Sequence, residues 1–252
     1  MTDHPSPRTG LAGAGIPVAA LLIALGLTAG GYFAGAGFVR ARTSDRTVLV
    51  RGVSEREAKA DLAIWPLRLV VTDEDLANAN ASLERNVQQT RTFLTAQGLT
   101  GGTTEVTLQE FVVQDNRTVG NYQVGSRYVI RQTLVVRSTS VDVVQAASQR
   151  VPELVKNGVV LSSGQEYGGG GPTFVFTGLN ALKPPMIAEA TARAREGAEQ
   201  FARDSRNTLT GIRRATQGVF EILPRDQASG ITEESQVTKR VRVVTTVEYG
   251  LR

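Results

Sequence analysis

The chain has 252 residues, of which 41% are hydrophobic and 21% charged, a balance typical of folded globular proteins rather than disordered chains. Cysteine is absent and His4 is the only histidine. These counts exclude disulfides, thiolate metal sites and cysteine nucleophiles, and they exclude a Ser-His-Asp triad or a histidine-ligated metal within the fold. The sequence predicts no catalytic residue, no metal site and no cofactor.

The net charge of the chain is +4, and it is not concentrated in one long basic segment. Residues 1–42 carry three arginines and one aspartate, so half of the net charge lies there and the remainder is nearly balanced. The densest cationic pairs are Arg213-Arg214 and Lys239-Arg240. Nucleic-acid binding usually requires a clustered basic face. We therefore interpret both pairs as solvated surface and expect no nucleic-acid partner.

An uncharged stretch extends from Thr9 to Val39. Its apolar part, Ile16–Phe38, would form a helix of about 35 Å, enough to cross a hydrocarbon core of about 30 Å. A cleaved signal peptide is the alternative, with Ala34-Gly35-Ala36 as its small-x-small exit. The length favours an uncleaved signal anchor, because about 20 apolar residues are typical of a spanning helix.

The predicted organisation is a cytoplasmic tail over residues 1–15, a lipid-contacting anchor over 16–38, a linker over 39–46 and a folded domain over 47–252. Arg40, Arg42 and Arg46 follow the apolar stretch and only Arg8 precedes it, so the positive-inside rule favours a cytoplasmic C-terminus. A short translocated tail ahead of a large domain is the less common arrangement, and this favours an exported domain.

Four glycines lie one helical turn apart within the apolar stretch. Gly26 and Gly30, and likewise Gly31 and Gly35, form small-xxx-small pairs that allow two membrane helices to approach closely. Ordinary glycine enrichment in membrane helices is the alternative interpretation.

The elements predicted for the first half of the domain alternate between strands and helices. A polar break at Ser54–Glu57 separates the first two strands, and Pro66 predicts a bulge or an edge position in the second. We interpret Trp65 as a core residue. The predicted elements are strands Thr47–Val53 and Lys59–Val71, a helix from Thr72-Asp73 to Gly98, and strands Thr103–Gln114 and Arg127–Arg137 around a hairpin loop at 115–126.

The second half repeats this pattern, and the last strand alternates apolar and polar residues from Val241 to Tyr249. Pro152 is expected to end the second helix early. The predicted elements are a helix Ser140–Leu154, strands Val159–Tyr167 and Thr173–Thr177, a helix Lys183–Arg206, a strand Thr210–Leu223, a loop Pro224–Glu234 and a strand Val237–Leu251. Hairpins joined by helices predict an α+β fold, an antiparallel sheet with three helices packed on one face.

Two stretches carry a resemblance to a known family. One is Val48-Leu49-Val50-Arg51-Gly52, followed by Ala60-Asp61-Leu62-Ala63; the other runs from the alanine-spaced third helix through Leu209-Thr210-Gly211-Ile212 to Val247-Glu248-Tyr249. Together they resemble the SIMPL-domain family, which includes bacterial periplasmic and membrane-anchored proteins, over residues 46–252. The resemblance implies an exported, envelope-facing α+β domain that self-assembles. Together with the predicted anchor, this gives a single-pass protein of the inner membrane with its domain in the periplasm or outside. The family often has a Leu-Gly turn where this chain has Asp204-Ser205-Arg206-Asn207.

Three functions are compatible with these residues. The first is a non-enzymatic, membrane-tethered envelope domain that forms a homo-oligomer or binds an unknown protein partner. The second is a module that binds a small ligand or cell-wall fragment through the loops Asp115–Ser126 and Pro224–Glu234. The third is a hydrolase using the carboxylate pairs Glu55/Glu57 or Glu233/Glu234. All four glutamates are expected in turns with cations beside them, which favours solvated surface over catalysis.

Overall fold

The structure is a computed structural model that describes residues 15–43, 46–118, 125–162 and 170–252. Its helices and strands follow one another as α1 (Gly15–Thr43), β1 (Thr47–Lys59), β2 (Leu62–Asp73), α2 (Leu76–Ala96), β3 (Thr104–Asp115), β4 (Tyr128–Ser138), α3 (Val141–Gln149), α4 (Pro152–Lys156), β5 (Thr173–Val175), α5 (Leu179–Asp204), β6 (Leu209–Gln217), β7 (Glu221–Pro224), a 3₁₀ turn (Glu233–Ser235) and β8 (Thr238–Leu251).

The prediction of an α+β fold with antiparallel strands is confirmed, but the strands form two sheets rather than one. One sheet has the order β3-β4-β2-β5, and in the other β8 lies between β1 and β6 and also pairs with β7. The chain divides into two compact units. The first comprises Met1–Val50, Ala194–Thr216 and Thr246–Arg252, and the second comprises Arg51–Arg193 and Gln217–Thr245.

The first unit has a small core between helix α5 and the strands β1 and β8. Ala194 and Ala198 of α5 pack against Val48 of β1 and against Val247 and Tyr249 of β8. Alanines four apart lie on one helix face, so the alanine spacing of the predicted third helix corresponds here to the surface that contacts the sheet. Strands β1 and β8 are antiparallel, since the Leu251 amide donates to the Arg46 carbonyl and the Ala60 amide donates to the Val237 carbonyl, both at 2.8 Å.

The second unit has its largest core beneath α2. Trp65 of β2 and Leu134 of β4 are fully buried there, together with Leu94 of α2. Alternation explains the arrangement: opposed residues of β2 and β4, such as Trp65 and Val136, share a face of the sheet. The prediction that Trp65 belongs to the core is confirmed.

Pro66 of β2 lies in register with Val135 of β4, without the predicted bulge. On its other edge, β2 pairs with β5 only as far as Ile64, and pairing resumes where the Val70 amide donates to the Val160 carbonyl at 3.1 Å. Pro66 thus falls in the gap between two partners. A residue without an N–H is tolerated in an otherwise inner strand because no ladder bond is required there.

A further core of the second unit lies along α5 and β8. Met186 and Ala190 of α5 are fully buried, and they belong to one cluster with Val241 and Val243 of β8. The edge strand β7 pairs with β8 from Glu221 opposite Arg242 to Pro224 opposite Lys239.

Several predicted boundaries are wrong for local reasons. The strand expected over Thr210–Leu223 breaks at Gly218, where a Cβ would lie 2.7 Å from the Val244 carbonyl oxygen. Pro152 does not simply end a helix: α3 stops at Gln149, and the proline then occupies the first position of α4, where it is favoured.

Three further predicted elements have different bounds in the structure. Of the expected strand Val159–Tyr167, the described residues form only an isolated bridge between Leu161 and Leu69, and residues 163–169 lie outside the described part. The third helix starts at Leu179, before Lys183. The supposed polar break at Ser54–Glu57 lies inside β1, because the strand continues to Lys59.

Candidate functional site

The glycines predicted for helix association lie on α1, with open space around them. A Cβ on Gly26, Gly30, Gly31 or Gly35 would meet no atom within 4 Å. Among the described residues, no helix combines the length and apolar character needed to cross a membrane. The anchor over residues 16–38 and the association of its glycines therefore stay predictions, and the tail over 1–15 falls almost wholly outside the described residues.

The first carboxylate pair does not form a site. Glu55 and Glu57 lie in β1 rather than in a turn, and each is matched to its own arginine. The Arg242 Nε lies 3.3 Å from Glu55 Oε1, and the Arg225 Nε lies 3.6 Å from Glu57 Oε1. Two carboxylates held by separate cations are poorly suited to share a proton, so this pair gives no support to hydrolysis.

The second carboxylate pair, Glu233 and Glu234, does not form a site either, because within the described part of the chain only one of the two glutamates forms an ion pair. Glu233 begins the 3₁₀ turn, and its Oε1 lies 2.7 Å from the Lys239 Nζ, whose side chain is fully buried. Lys239 also donates to the backbone carbonyl of Glu233. Glu234 makes no ion pair among the described residues. The interpretation of Lys239 as solvated surface is thus wrong, because it has the same strand parity as the buried Val241 and Val243.

The loop between β7 and β8 is held by side chains at its base. The Gln236 side chain accepts from the Asp226 amide and donates to the Asp226 carbonyl, both at 3.1 Å. Arg240 Nη2 donates to the Arg225 carbonyl at 2.8 Å. Together with the Lys239–Glu233 pair, these bonds fix the residues that flank the loop tip near Gly230. The predicted recognition loop Pro224–Glu234 is therefore held by hydrogen bonds and an ion pair at its base.

The other predicted recognition loop is only partly described, since residues 119–124 lie outside the described part. At its start, the Arg117 amide donates to Asp115 at 3.0 Å, and Arg127 Nε donates to the same carboxylate at 3.2 Å. The hydrogen bond from the Arg117 amide is the main cause of a lowered pKa of the Asp115 carboxyl; burial opposes it, and the contact with Arg127 lowers the pKa further. Asp115 is thus a tether for the base of this loop.

A polar cluster that sequence reasoning missed joins β1 to α5 within the second unit. The buried Ser54 Oγ donates to Glu189 Oε2 at 2.9 Å. Arg193 Nη2 lies 2.9 Å from Glu189 Oε1, and Arg56 Nη2 lies 3.5 Å from Oε2. The hydrogen bond from Ser54, followed by that from Arg193, lowers the pKa of the Glu189 carboxyl. A carboxylate stabilised in this way is a weak base, so it does not activate Ser54 as a nucleophile.

This cluster makes a prediction about acid stability. Because the folded pKa of Glu189 lies below its unfolded value, its stabilising contribution is present near neutral pH and is lost as the pH falls through the folded pKa. We expect Glu189→Gln to lower the urea midpoint of the full chain at neutral pH, with the wild-type and variant midpoints converging in acid. Glu196→Gln, on an exposed position of α5, is the matched control. An unchanged difference between wild type and Glu189→Gln across the acid range would contradict the assignment.

The most distinctive surface feature is β3, an edge strand with uncovered apolar side chains. Leu108, Phe111 and Val113 are 47%, 55% and 43% exposed. Leu108 and Val113 lie opposite the fully buried Leu134 and Ile130 of β4, so they share the face that α2 covers on β2 and β4. The apolar face of this sheet thus extends past its helical cover to the edge.

A groove and a bulge further shape this edge. The groove, of about 240 Å³, lies between α2 and the start of β3 and is lined by Arg91, Leu94, Thr104 and Val106 among others. The bulge occurs between Gln109 and Phe111, where Glu110 adopts a φ of 50°. We define Leu108, Phe111 and Val113, with the outer backbone edge of β3, as the β3 edge surface. Strand alternation alone did not identify it, because the sequence does not say which strand lies at an edge.

The chain was compared with known proteins. The model of one protein family, SIMPL, described as a protein of unknown function (DUF541), matches residues 48–249. No curated protein matches the chain. The match begins at Val48, the second residue of β1, and ends at the buried Tyr249, two residues before the end of β8.

Proposed function

Since the chain belongs to the SIMPL family, for which no activity is established, we propose that it acts by binding protein rather than by catalysis. In this proposal, a membrane-anchored domain facing the cell envelope assembles with further copies or with a protein partner. The observation that carries it is the β3 edge surface.

An uncovered edge strand is a strong binding feature. Its outer N–H and C=O groups are a ready template for another strand, and native proteins usually cover or blunt such edges. Here three apolar side chains on that edge are about half exposed and continue the face of a buried core. Contiguous exposed apolar surface of this kind is typical of protein interaction sites.

The candidate catalytic groups favour binding over chemistry. Four candidate glutamates each form an ion pair with an arginine or lysine side chain, namely Glu55, Glu57, Glu189 and Glu233. Ser54 is buried and donates to a carboxylate whose depressed pKa makes it a poor base. Hydrolysis requires a free acid and a free base at one substrate-accessible place.

The anchor and the exported orientation rest on the sequence. The 31 residues of Thr9–Val39 contain no charge, and burying their apolar side chains in lipid would be favourable. The large apolar side chains of α1 between Leu21 and Phe33 are exposed, from 61% for Leu25 to 74% for Phe33, which leaves them available to lipid.

Two measurements test this proposal. Chemical cross-linking of membranes that contain the full chain is expected to yield specific higher-mass products, and a strictly monomeric, partner-free chain would contradict it. An alkaline phosphatase reporter fused after Arg252 is expected to be active only when the domain is exported. Activity of a cytosolic reporter at that position, or recovery of the full chain in the soluble fraction after lysis, would contradict the anchored topology.

The loop Pro224–Glu234, whose base is held by hydrogen bonds, supports a second candidate, a small-ligand or cell-wall-fragment site. Because the Gln236–Asp226 bonds and the Lys239–Glu233 pair hold its base, a ligand there would lose little energy to loop ordering. A ligand at about 100 times its dissociation constant adds about 2.7 kcal/mol of stability. A thermal-shift screen of envelope metabolites against the full chain would detect this, and no shift across the panel would contradict this candidate.

A further inference from the structure

Two edge strands of the chain carry opposite charges. The charged residues of β3 are all acidic, namely Glu105, Glu110 and Asp115, whereas those of β6 are Arg213 and Arg214. Asp115 is already bound to Arg127. Glu105, Glu110, Arg213 and Arg214 make no ion pair among the described residues.

Within the described part of the chain, neither strand is paired along its outer edge. β6 ends the order β1-β8-β6 in its sheet, just as β3 ends the order of the other sheet. Every residue of β6 after Leu209 is exposed, including Ile212 at 51%. Each edge therefore offers free backbone groups, an apolar side chain and unpaired charge of one sign.

From this complementarity we propose that the occupant of the β3 edge surface is β6 of a second copy of the chain. The inference rests on the proposed binding function and names the partner. Pairing β3 with β3 instead would place acidic residues near acidic residues, which is unfavourable across strands. Pairing β3 with β6 brings carboxylates to guanidinium groups and covers Phe111 and Ile212.

The faces of the strands agree with this pairing. Glu110 accepts a hydrogen bond from Thr133 Oγ1 at 3.2 Å, and Glu105 lies opposite Arg137, so both acids lie on the face away from α2. Successive residues of a strand point to opposite faces. The adjacent residues Arg213 and Arg214 therefore place one guanidinium group on each face of β6. Whichever way the register of β6 against β3 is shifted, one arginine lies on the same face as Glu105 and Glu110.

The bulge at Glu110 makes the pairing selective. A bulge at a sheet edge interrupts the pairing of a long added strand. A partner strand must therefore pair with the part of β3 on one side of the bulge and complement its charge. The proposed contact is also heterologous, because each chain offers β3 to one neighbour and β6 to another. Such contacts generate closed rings when the rotation closes, and open filaments when it does not.

The test uses two charge-reversed forms of the full chain in non-ionic detergent, followed by sedimentation velocity. Arg213→Glu/Arg214→Glu makes both edges acidic, and Glu105→Arg/Glu110→Arg makes both basic. We expect each variant alone to self-associate at least about tenfold more weakly than the wild type. An equimolar mixture is expected to regain association, because each edge of one variant then complements an edge of the other.

Controls separate this inference from a change in overall charge or folding. Arg85→Glu/Arg195→Glu makes the same change in net charge as Arg213→Glu/Arg214→Glu at exposed positions outside both strands, and it should associate as the wild type does. Should a reversal unfold the chain, as judged by circular dichroism, the wild type still provides a test, because its association must weaken as salt screens the contact.

Three results would overturn the proposed contact: wild-type association in both reversed variants, equal loss in the control, or no recovery on mixing folded variants. In each of these cases the wild type still assembles, so the broader binding function stands. A wild-type chain that is monomeric at all concentrations and captures no partner would overturn both.

Discussion

Replacing Glu233 with alanine is expected to destabilise the full chain by about 3 kcal/mol, because it leaves the buried Lys239 ammonium without its counter-charge. The Lys239 side chain is fully buried, and its Nζ lies 2.7 Å from Glu233 Oε1. The backbone carbonyl of Glu233 stays as a partner but carries no full charge. Urea unfolding followed by the fluorescence of the single tryptophan measures the loss.

Removing the buried charge itself should have the opposite outcome. Lys239→Met keeps an apolar stem of similar length, and the Glu233 carboxylate, 30% exposed, can hydrate. We expect this variant to lie within about 1 kcal/mol of the wild type or to be more stable. Glu234→Ala, next in sequence and without an ion pair among the described residues, is the matched control. Equal destabilisation by Glu233→Ala and Lys239→Met would contradict this account of the pair.

The second large effect is expected in the core beneath α2. Trp65→Ala should destabilise the chain by about 3–5 kcal/mol, because the side chain is fully buried and its removal leaves a large cavity. Far-ultraviolet circular dichroism during urea unfolding measures this without the tryptophan signal.

Two variants show whether burial causes that loss. The Trp65 indole N–H has no hydrogen-bond partner among the described residues, so Trp65→Phe loses volume but no hydrogen bond and should cost less than the alanine change. Phe201→Ala removes an aromatic ring that is 50% exposed and should change stability by only about 0.5 kcal/mol. A Trp65→Ala loss no greater than that of Phe201→Ala would contradict the placement of Trp65 in the core.

Local patterns predicted much of the fold because they report burial directly. The alternation in β8 and the small-residue face of α5 both correspond to buried surfaces. The helix predicted from Thr72-Asp73 to Gly98 likewise corresponds to α2, which buries Leu83 and Leu94, and Trp65 lies in the core as predicted. Each of these signals depends only on neighbours in sequence, so no knowledge of strand order was required.

The sites that sequence reasoning missed depend on contacts distant in sequence. Ser54 meets Glu189 across 135 positions, and no local pattern indicates that pair. The interpretation of Lys239 as solvated surface is wrong because it gives the charge more weight than the strand alternation, which places Lys239 on the same face as Val241. The β3 edge surface was missed because only the pairing order shows which strand has a free edge.

The most direct test of the central claim is the molar mass of the intact, detergent-solubilised chain, measured by light scattering with the detergent contribution subtracted. The account predicts a concentration-dependent mass that rises to multiples of 26.9 kDa. A constant mass of one chain at every concentration, with no protein bound to it, would contradict the claim that its exposed sheet edges serve assembly.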